Sequence, residues 1–225
     1  MIDLYHKDCF ELMDQLSEQD IKIDLVLTDT PYDIKPSHNE YFGKIDLKTM
    51  WEKLQPISKK DTTYAFFGIE PFNTHLRNSN IQEWKYDWYW LRSKMSGFAQ
   101  AKSRPLKVIE TISVFSKADM SYNSKNKMKY YPQDTITDEK GDISNYPINL
   151  LIYDNPSNKL HPTQKPVDLL MYLIETYTDE KDTVLDFCMG SGSTGVACKY
   201  TGRRFIGCDK SEKYYKIAQQ RIKKE

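Results

Sequence analysis

Three of the chain's nine glycines fall within six residues, at Gly190, Gly192 and Gly195. They follow an apolar run, Thr183-Val-Leu-Asp-Phe187, that reads as a strand, and they precede Val196-Ala-Cys-Lys-Tyr200, which continues as a helix. Arg203 to Cys208 reads as a second strand, and Asp209 closes it 19 positions after Gly190. A strand, a Gly-x-Gly-x-x-Gly turn, a helix and a strand ending in an acid describe a nucleoside-binding unit. The glycines let the backbone approach the ligand, and the acid accepts hydrogen bonds from ribose hydroxyls. The placement of this unit is the strongest constraint on the fold. A dinucleotide fold needs several further βα units after its fingerprint, yet only the strand to Cys208 and one helix, capped by Ser211 with Tyr214, Ile217, Ala218 and Ile222 inward, remain. The sheet must be completed by strands from the amino-terminal half.

Those strands are legible. Met1 to His6 is a short strand, and Cys9, Leu12, Met13 and Leu16 mark an amphipathic helix after it. Asp8 with Glu11 resembles a capping box, so Asp8 serves equally as helix cap or as ligand-binding acid. Ile23 to Thr28 is a buried strand, and Asp29-Thr-Pro-Tyr32 then turns the chain. Pro31 pushes Thr30 out of the helical region and holds Asp29 and Tyr32 at the strand's carboxyl end, the edge where open α/β sheets bind ligands. Residues 33–45 have the length of a lid or binding loop, and Asp46 caps a helix running to about Leu54. Strands follow at Thr62–Phe67, Lys85–Leu91 and Val108–Phe115, with a helix from Pro71 to about Asn78. Residues 29–32 and 190–195 are thereby expected at one edge of one sheet.

The 32 basic and 32 acidic residues cancel, so nucleic-acid binding has to come from local asymmetry. One such asymmetry exists. Arg92, Lys94, Lys102, Arg104 and Lys107 lie in a stretch from Trp88 through Ile109 without an acid, which reads either as a solvated connection between two strands or as a phosphate-tracking surface with Phe98 and the nearby tryptophans available for base contact. Residues 117–160 have little periodicity and read as a functional insert or a partly disordered segment, with Lys125, Lys127 and Lys129 adding basic character. His161-Pro-Thr-Gln-Lys-Pro166 leads into a helix whose apolar face is Leu169, Leu170, Leu173, Ile174 and Tyr177. Cys9, Cys188, Cys198 and Cys208 form no C-x-x-C pair and read as reduced core residues; no metal is implied. No leader stands out, and no apolar run approaches the roughly 18 residues that span a bilayer. The expectation is a soluble, cytoplasmic protein.

Taken together, these residues resemble the DNA amino-methyltransferases that modify adenine N6 or cytosine N4, especially phage-type members. Asp29-Thr-Pro-Tyr32 resembles their Asp-Pro-Pro-Tyr motif, and Asp186-Phe-Cys-Met-Gly-Ser-Gly-Ser-Thr194 their Asp-Pro-Phe-x-Gly-Ser-Gly-Thr-Thr motif. His161 to Pro166, Phe205-Ile-Gly-Cys-Asp209, Lys7-Asp8-Cys9, Phe66 to Phe72 and Gly97 to Leu106 are also similar to family stretches. The catalytic motif precedes the cofactor motif, as in the circularly permuted β group. The resemblance implies a Rossmann-like α/β methyltransferase fold with a seven-stranded mixed sheet and helices on both faces. It implies one domain over residues 1–225 with a small DNA-recognition insert at about 93–160, S-adenosyl-L-methionine as cofactor, double-stranded DNA as partner, and a homodimer. Thr30, Phe187 and Cys188 depart from the family pattern.

The resemblance assigns Asp29, Thr30, Pro31 and Tyr32 to catalysis. Asp29 and a backbone carbonyl of Thr30 or Pro31 accept the two N–H bonds of the target amine, orienting its lone pair and stabilising developing positive charge. Tyr32 stacks on a base flipped from the duplex; flipping costs a few kcal/mol, and one aromatic stack returns roughly 1–3 kcal/mol. Asp209 is assigned to the ribose, Asp8 with Cys9 to the adenine moiety, Gly190 and Gly192 to the methionine side, and Cys188 and Ser191 to the cofactor site. Thr163 and Lys165 are assigned near the carboxylate, and Asp186 to the amino group or to the loop itself. Arg92, Lys94, Lys102, Arg104 and Lys107 are assigned to DNA. Adenine N6 is favoured over cytosine N4 because the motif begins with Asp. The rival readings are a methyltransferase for a protein amide or RNA base, whose motif normally follows the glycine loop, a nicotinamide-dependent oxidoreductase, and a non-catalytic DNA-binding relative.

Overall fold

The structure, a computed structural model, describes residues 1–31, 45–157 and 159–225. Tyr32 and almost all of the 33–45 loop lie outside the described residues. In chain order the elements are β1 (Ile2–His6), α1 (Cys9–Glu18), β2 (Ile23–Thr28), α2 (Leu47–Ile57), β3 (Ser58–Gly68), α3 (Phe72–Ser79) and β4 (Trp84–Ser96). Then come β5 (Lys107–Ser116), β6 (Ile136–Thr137), β7 (Ile143–Ser144), β8 (Leu150–Tyr153), α4 (Val167–Tyr177), β9 (Thr183–Asp186), α5 (Ser193–Tyr200), β10 (Arg204–Asp209) and α6 (Glu212–Lys224).

Among the described residues the main sheet has eight strands in the order β1-β10-β9-β2-β3-β5-β4-β8. Only β5 runs against its neighbours; β10, β9, β2 and β3 are parallel, and β8 runs parallel to β4. The fold is the expected α/β mixed sheet, with one strand more than the seven anticipated. The extra strand is β8, from the stretch read as an aperiodic insert. It is four residues long and lies on the outer edge, with Leu150 and Ile152 exposed and Leu151 buried, an alternation hidden in the sequence because all four residues are apolar.

Every residue of β2 is buried, which explains its unbroken apolar run. Its alternate side chains divide between two cores. Leu25 and Leu27 join Phe67, Trp88, Trp90 and Ile112 under α4, α5 and α6, while Val26 joins Tyr64, Phe66 and Phe115 under α1, α2 and α3. Asp24, buried at the start of β2, is compensated by Lys59 at 2.5 Å and by the amide of Thr183 at 3.0 Å. Lys129 pairs with Asp182 at 2.6 Å and Asp179 at 3.0 Å, and lies 3.7 Å from Asp24. That lysine fastens the 117–149 segment to the body of the protein instead of adding to a basic surface.

The connections after β9 lead to one side of it in the sheet, toward β10, and those after β2 lead to the other side, toward β3. The carboxyl ends of β9 and β2 therefore form the switch point where a doubly wound sheet opens a crevice. The two motifs singled out in the sequence emerge there side by side. The Thr28 hydroxyl donates to Asp186 Oδ1 at 2.8 Å and ties the two strand ends together.

Candidate active site

Two acids, Asp186 and Asp209, hold the glycine loop, and a third, Asp8, stands nearby. Asp186 is buried and its carboxylate is fully occupied: Oδ1 accepts from Thr28 and, at 3.2 Å, from the Cys188 amide, and Oδ2 accepts from the Thr194 hydroxyl at 2.6 Å. Burial pushes its carboxyl up to about 6 despite these donors. Of the two roles foreseen for Asp186, this geometry serves the fixing of the loop. Asp209 is oriented by two amides, Gly190 N on Oδ2 at 3.0 Å and Ser211 N on Oδ1 at 2.8 Å. Burial raises its carboxyl above the usual range, and the two amides oppose that rise. Ser211 occupies the cap position of α6 without a side-chain cap bond of its own. Asp8 accepts from the Phe10 amide at 2.9 Å, so it caps α1 while standing at the end of β1, next to β10.

The glycines do not all serve one purpose. Gly190 has φ +50° and carries the ring of His161 3.4 Å from where a Cβ would stand. A Cβ on Gly192, at φ +77°, would lie 2.9 Å from Ala218 Cβ, and one on Gly195 would meet Ile222 and Phe205. Gly192 was expected to admit the ligand; the side of it that lacks a Cβ is used by α6. The Ser191 and Ser193 hydroxyls both face Arg221 of α6, at 3.4 and 2.9 Å. Burial pushes the thiols of Cys9, to about 11, and Cys188 well above their usual values, and all four cysteines are free.

The segment ahead of α4 joins both halves of the site. His161 packs edge-on against Tyr214 with ring centroids 4.3 Å apart, and burial lowers its imidazole to about 4, so it is neutral near pH 7. Its Nδ1 meets the Thr163 hydroxyl at 3.1 Å, and its carbonyl accepts from the Gln164 amide at 3.1 Å. Gln164 reaches Ser191 at 3.4 Å. Lys165, expected near a ligand carboxylate, instead turns toward β2 and β5. Its ammonium lies 2.7 Å from Asp29 Oδ2 and 2.7 Å from Glu110 Oε1, and 4.9 Å above the Phe67 ring.

Strand alternation explains the meeting. Asp29 continues the parity of Leu25 and Leu27, and Glu110 that of Ile112 and Val114; both parities face the α4 side. The side chains of Asp29, Lys165 and Glu110 are 16%, 8% and 7% exposed, so the three charges interact through protein more than through water. Burial raises the Glu110 carboxyl above the usual carboxylate range; Lys165 pulls it back, and Asp29 adds to the rise. Among the described residues Asp29 Oδ1 accepts no hydrogen bond although it is buried, and neither does the Thr30 hydroxyl. Glu110 is the residue that sequence reasoning passed over. Its signal was a charged residue on the core parity of an otherwise apolar strand, which demands a buried partner.

β4 and β5 run on past the sheet into a hairpin that projects from the same carboxyl edge, turning at Gly97 with φ +91°. Lys94, Lys102 and Arg104 are exposed there beside exposed Phe98 and Met95, and Lys107 is partly buried. Arg92 departs from the expected DNA surface. Its guanidinium turns inward, donating to Ser96 Oγ at 2.9 Å and Lys107 O at 2.8 Å, with Glu110 4.0 Å away. Asn155 laces the chain after β8 to the hairpin through the Lys94 amide and Ser93 Oγ. Lys159 follows; burial lowers its ammonium, and the neighbouring cations Lys94 and Arg92 lower it further. A cavity of about 580 Å³ between Trp84, Tyr86, Trp88, Met128 and Tyr130 sits at the other end of β4 and shares no residue with this site.

The family model described as DNA methylase, of the N6/N4 class, matches residues 23–220. The chain belongs to this family of DNA amino-methyltransferases. The type II methyltransferase M1.MboII of Moraxella bovis is 27% identical over 253 residues, covering 94% of this chain and 92% of that protein. M2.DpnII of Streptococcus pneumoniae is 52% identical over 65 residues, 29% of this chain and 24% of its own. Among solved structures, a complex of M1.HpyAVI with S-adenosylmethionine superposes with a TM-score of 0.70 at 25% identity, covering 98% of this chain and all of that one. The cytosine-N4-specific PvuII methyltransferase has a TM-score of 0.74 at 18% identity over 99% of this chain and 90% of that one, a likeness of fold alone. No helix among the described residues is long and apolar enough to cross a membrane, and no group of His, Cys, Asp and Glu there has the arrangement of a metal site.

Proposed function

We propose that this DNA methyltransferase moves a methyl group from S-adenosyl-L-methionine to the exocyclic N6 amine of adenine within a specific DNA sequence, with the base turned out of the duplex. The observation that carries the reading is Asp29. Its Oδ2 is held by Lys165, and its buried Oδ1 has no partner among the described residues. An amine N–H is the group that such an acceptor lacks. Oδ1 would take one hydrogen of the amine, and a carbonyl of the Thr30–Pro31 turn the other. The nitrogen lone pair is then aimed, and positive charge developing on it faces a fixed carboxylate.

The residues around the glycine loop fit the cofactor. Asp209 stands at the end of β10 with its carboxylate steered by two amides, as a ribose diol requires, and Asp8 lies one strand over, on the adenine side. Gly190 brings backbone to the mouth of the crevice. S-Adenosyl-L-methionine supplies an electrophilic methyl group on a sulfonium. The neutral His161 adds no cation beside that sulfonium near pH 7.

The hairpin over residues 93–106, with the lysines that flank it, is read as the DNA-contacting part of the 93–160 region. It rises from the sheet edge that bears Asp29 and exposes Lys94, Lys102, Arg104 and Phe98 together. A second copy is assigned to the bare sheet face on which Tyr89, Ile109, Leu150 and Ile152 are exposed. Cross-strand pairing of Tyr89 with Leu150 and of Leu91 with both Ile109 and Ile152 puts these side chains on one side. Sedimentation that gives only a monomer at micromolar concentration removes this assignment. The type II relatives point to a place in restriction–modification.

Labelled-methyl transfer to unmethylated DNA, with calorimetry against S-adenosyl-L-methionine and NAD, tests the reading. The Asp29→Ala variant is expected to lose transfer and keep cofactor binding. Near wild-type transfer by that variant, or binding of NAD in place of S-adenosyl-L-methionine, sinks it. Sequencing for modified bases in DNA from expressing cells decides the base: label in N4-methylcytosine overturns the adenine assignment.

A further inference from the structure

We propose that Glu110 is a positioning residue for methyl transfer, acting through the Lys165 ammonium that it shares with Asp29 so that Oδ1 of Asp29 is the oxygen turned to the target amine. The inference rests on Asp29 being the acceptor of that amine.

A carboxylate on a short side chain rotates in a broad, two-fold well, so a lone Asp29 would present either oxygen. One bond to a cation fixes which oxygen is engaged, but only if the cation is itself fixed. Lysine is a flexible stem with three donors. Here its ammonium has two carboxylate contacts of equal length, Asp29 Oδ2 at 2.7 Å and Glu110 Oε1 at 2.7 Å, and the face of Phe67 lies beneath it at 4.9 Å. Glu110 belongs to β5 and is paired in register with Trp90 of β4, so its backbone is held by the sheet. Arg92 approaches the other Glu110 oxygen at 4.0 Å, on the side away from Lys165.

Charge leads to the same conclusion. Asp29 and Lys165 alone would form a neutral pair, placing an ammonium beside a nitrogen that becomes positive during the reaction. Among the described residues, with Glu110 the inner cluster holds two carboxylates and one ammonium, and the balancing Arg92 is one residue further out. Glu110 offsets the charge of that ammonium, so the field that Asp29 presents to the developing cation is not cancelled by it, an effect that also requires Lys165.

The test uses the full chain and the isosteric Glu110→Gln change, with Lys165→Met and the double variant completing a cycle. The expected result is a fall in kcat of roughly 10- to 100-fold with KM for DNA and cofactor affinity kept within about twofold. In the Lys165→Met background, Glu110→Gln is expected to add less than about a twofold loss, since its route to Asp29 is already cut. A kcat close to wild type, or losses that multiply independently in the double variant, overturns the proposal. Should Glu110→Gln fail to fold, Glu110→Asp, one methylene short of Lys165, carries the same comparison. Nitrogen-15 NMR of the lysine ammonium groups gives a readout free of turnover. The Lys165 signal is expected to be protected from exchange in the wild type and to lose that protection in both Glu110→Gln and Asp29→Asn. An unprotected wild-type signal, or one that either change leaves as it was, refutes the shared ammonium. A wild-type chain that methylates no DNA, yet shows the protected signal, faults the function and leaves the linkage standing.

Discussion

Replacing Lys165 with methionine is expected to destabilise the fold in a way that acid repairs. Lys165→Met keeps the length and apolar body of the side chain and deletes the one charge between two carboxylates. Asp29 Oδ2 and Glu110 Oε1 each lie 2.7 Å from the same nitrogen, so they stand no more than about 5.4 Å apart. At an effective dielectric of about 20, two like charges at that separation repel by about 3 kcal/mol. Breaking a buried pair by removing one partner costs roughly 3–5 kcal/mol in general, so the two figures agree. For 225 residues unfolding at an entropy of roughly 2.1 cal/mol/K per residue, the loss corresponds to a fall in Tm on the order of 6–11 °C. Glu110, which burial already raises, loses in the variant the ammonium that pulls it back, so it is more easily protonated in the folded state than in the unfolded chain, where values near 4 apply. The folded form then binds more protons over that window, and its stability falls as pH rises through the raised pKa and returns as pH drops below it. Thermal or urea unfolding of both proteins at pH 7.5 and pH 5 measures the difference. A Tm within about 2 °C of wild type at pH 7.5, or a deficit as large at pH 5 as at pH 7.5, would refute the charge-cluster account.

Two further outcomes separate neighbouring residues that composition treats alike. Gly192→Ala is expected to cost roughly 1–3 kcal/mol, from a Cβ 2.9 Å from Ala218 and a φ of +77°, read as a lower urea midpoint with unchanged slope. Lys102→Ala and Arg104→Ala are each expected to reduce the slope of log K for DNA against log salt by about 0.9 without moving Tm, whereas Arg92→Ala lowers Tm and leaves the slope unchanged. Fluorescence anisotropy with a duplex at several salt concentrations distinguishes the two patterns.

The elements that carry apolar runs or caps were legible in the sequence because each is dictated by local chemistry. β2 is buried on both faces and has to be apolar throughout, and α1 begins at Asp8 because its carboxylate accepts from the Phe10 amide. The joining of Asp29 to the glycine loop followed from strand count, since a late glycine loop cannot build a sheet alone. What could not be read was direction. Arg92 and Lys94 are two residues apart and equally basic, yet one points at Glu110 and the other at solvent. Their difference is set by where the hairpin leaves the sheet, between Leu91 and Ser96, where the register slips. Likewise Lys165 and Thr163 share a short segment, but only the lysine has reach enough to cross toward β2. β8 escaped because its four residues are all apolar, so buried Leu151 and exposed Leu150 and Ile152 look alike in the sequence.

The order of the sheet makes the two motifs dependent on each other. β1 and β2 are consecutive strands in the chain, yet β10 and β9 stand between them, so the amino-terminal strands meet only through the carboxyl-terminal ones. Asp8 at the end of β1 reaches the crevice because β1 pairs with β10, register for register from Ile2 with Phe205 to His6 with Asp209. Asp29 is held at the switch point because β2 pairs with β9 and Thr28 bonds Asp186. The segment from His161 to Lys165 closes the arrangement from above, with His161 and Gln164 on the glycine loop and Lys165 on Asp29. A methyl donor and an acceptor amine must meet within bonding reach. On the proposed reading, a hydroxyl–carboxylate bond between two strands and one lysine from the segment before α4 hold the two motifs at a fixed spacing, so neither half of the candidate site is defined without the other.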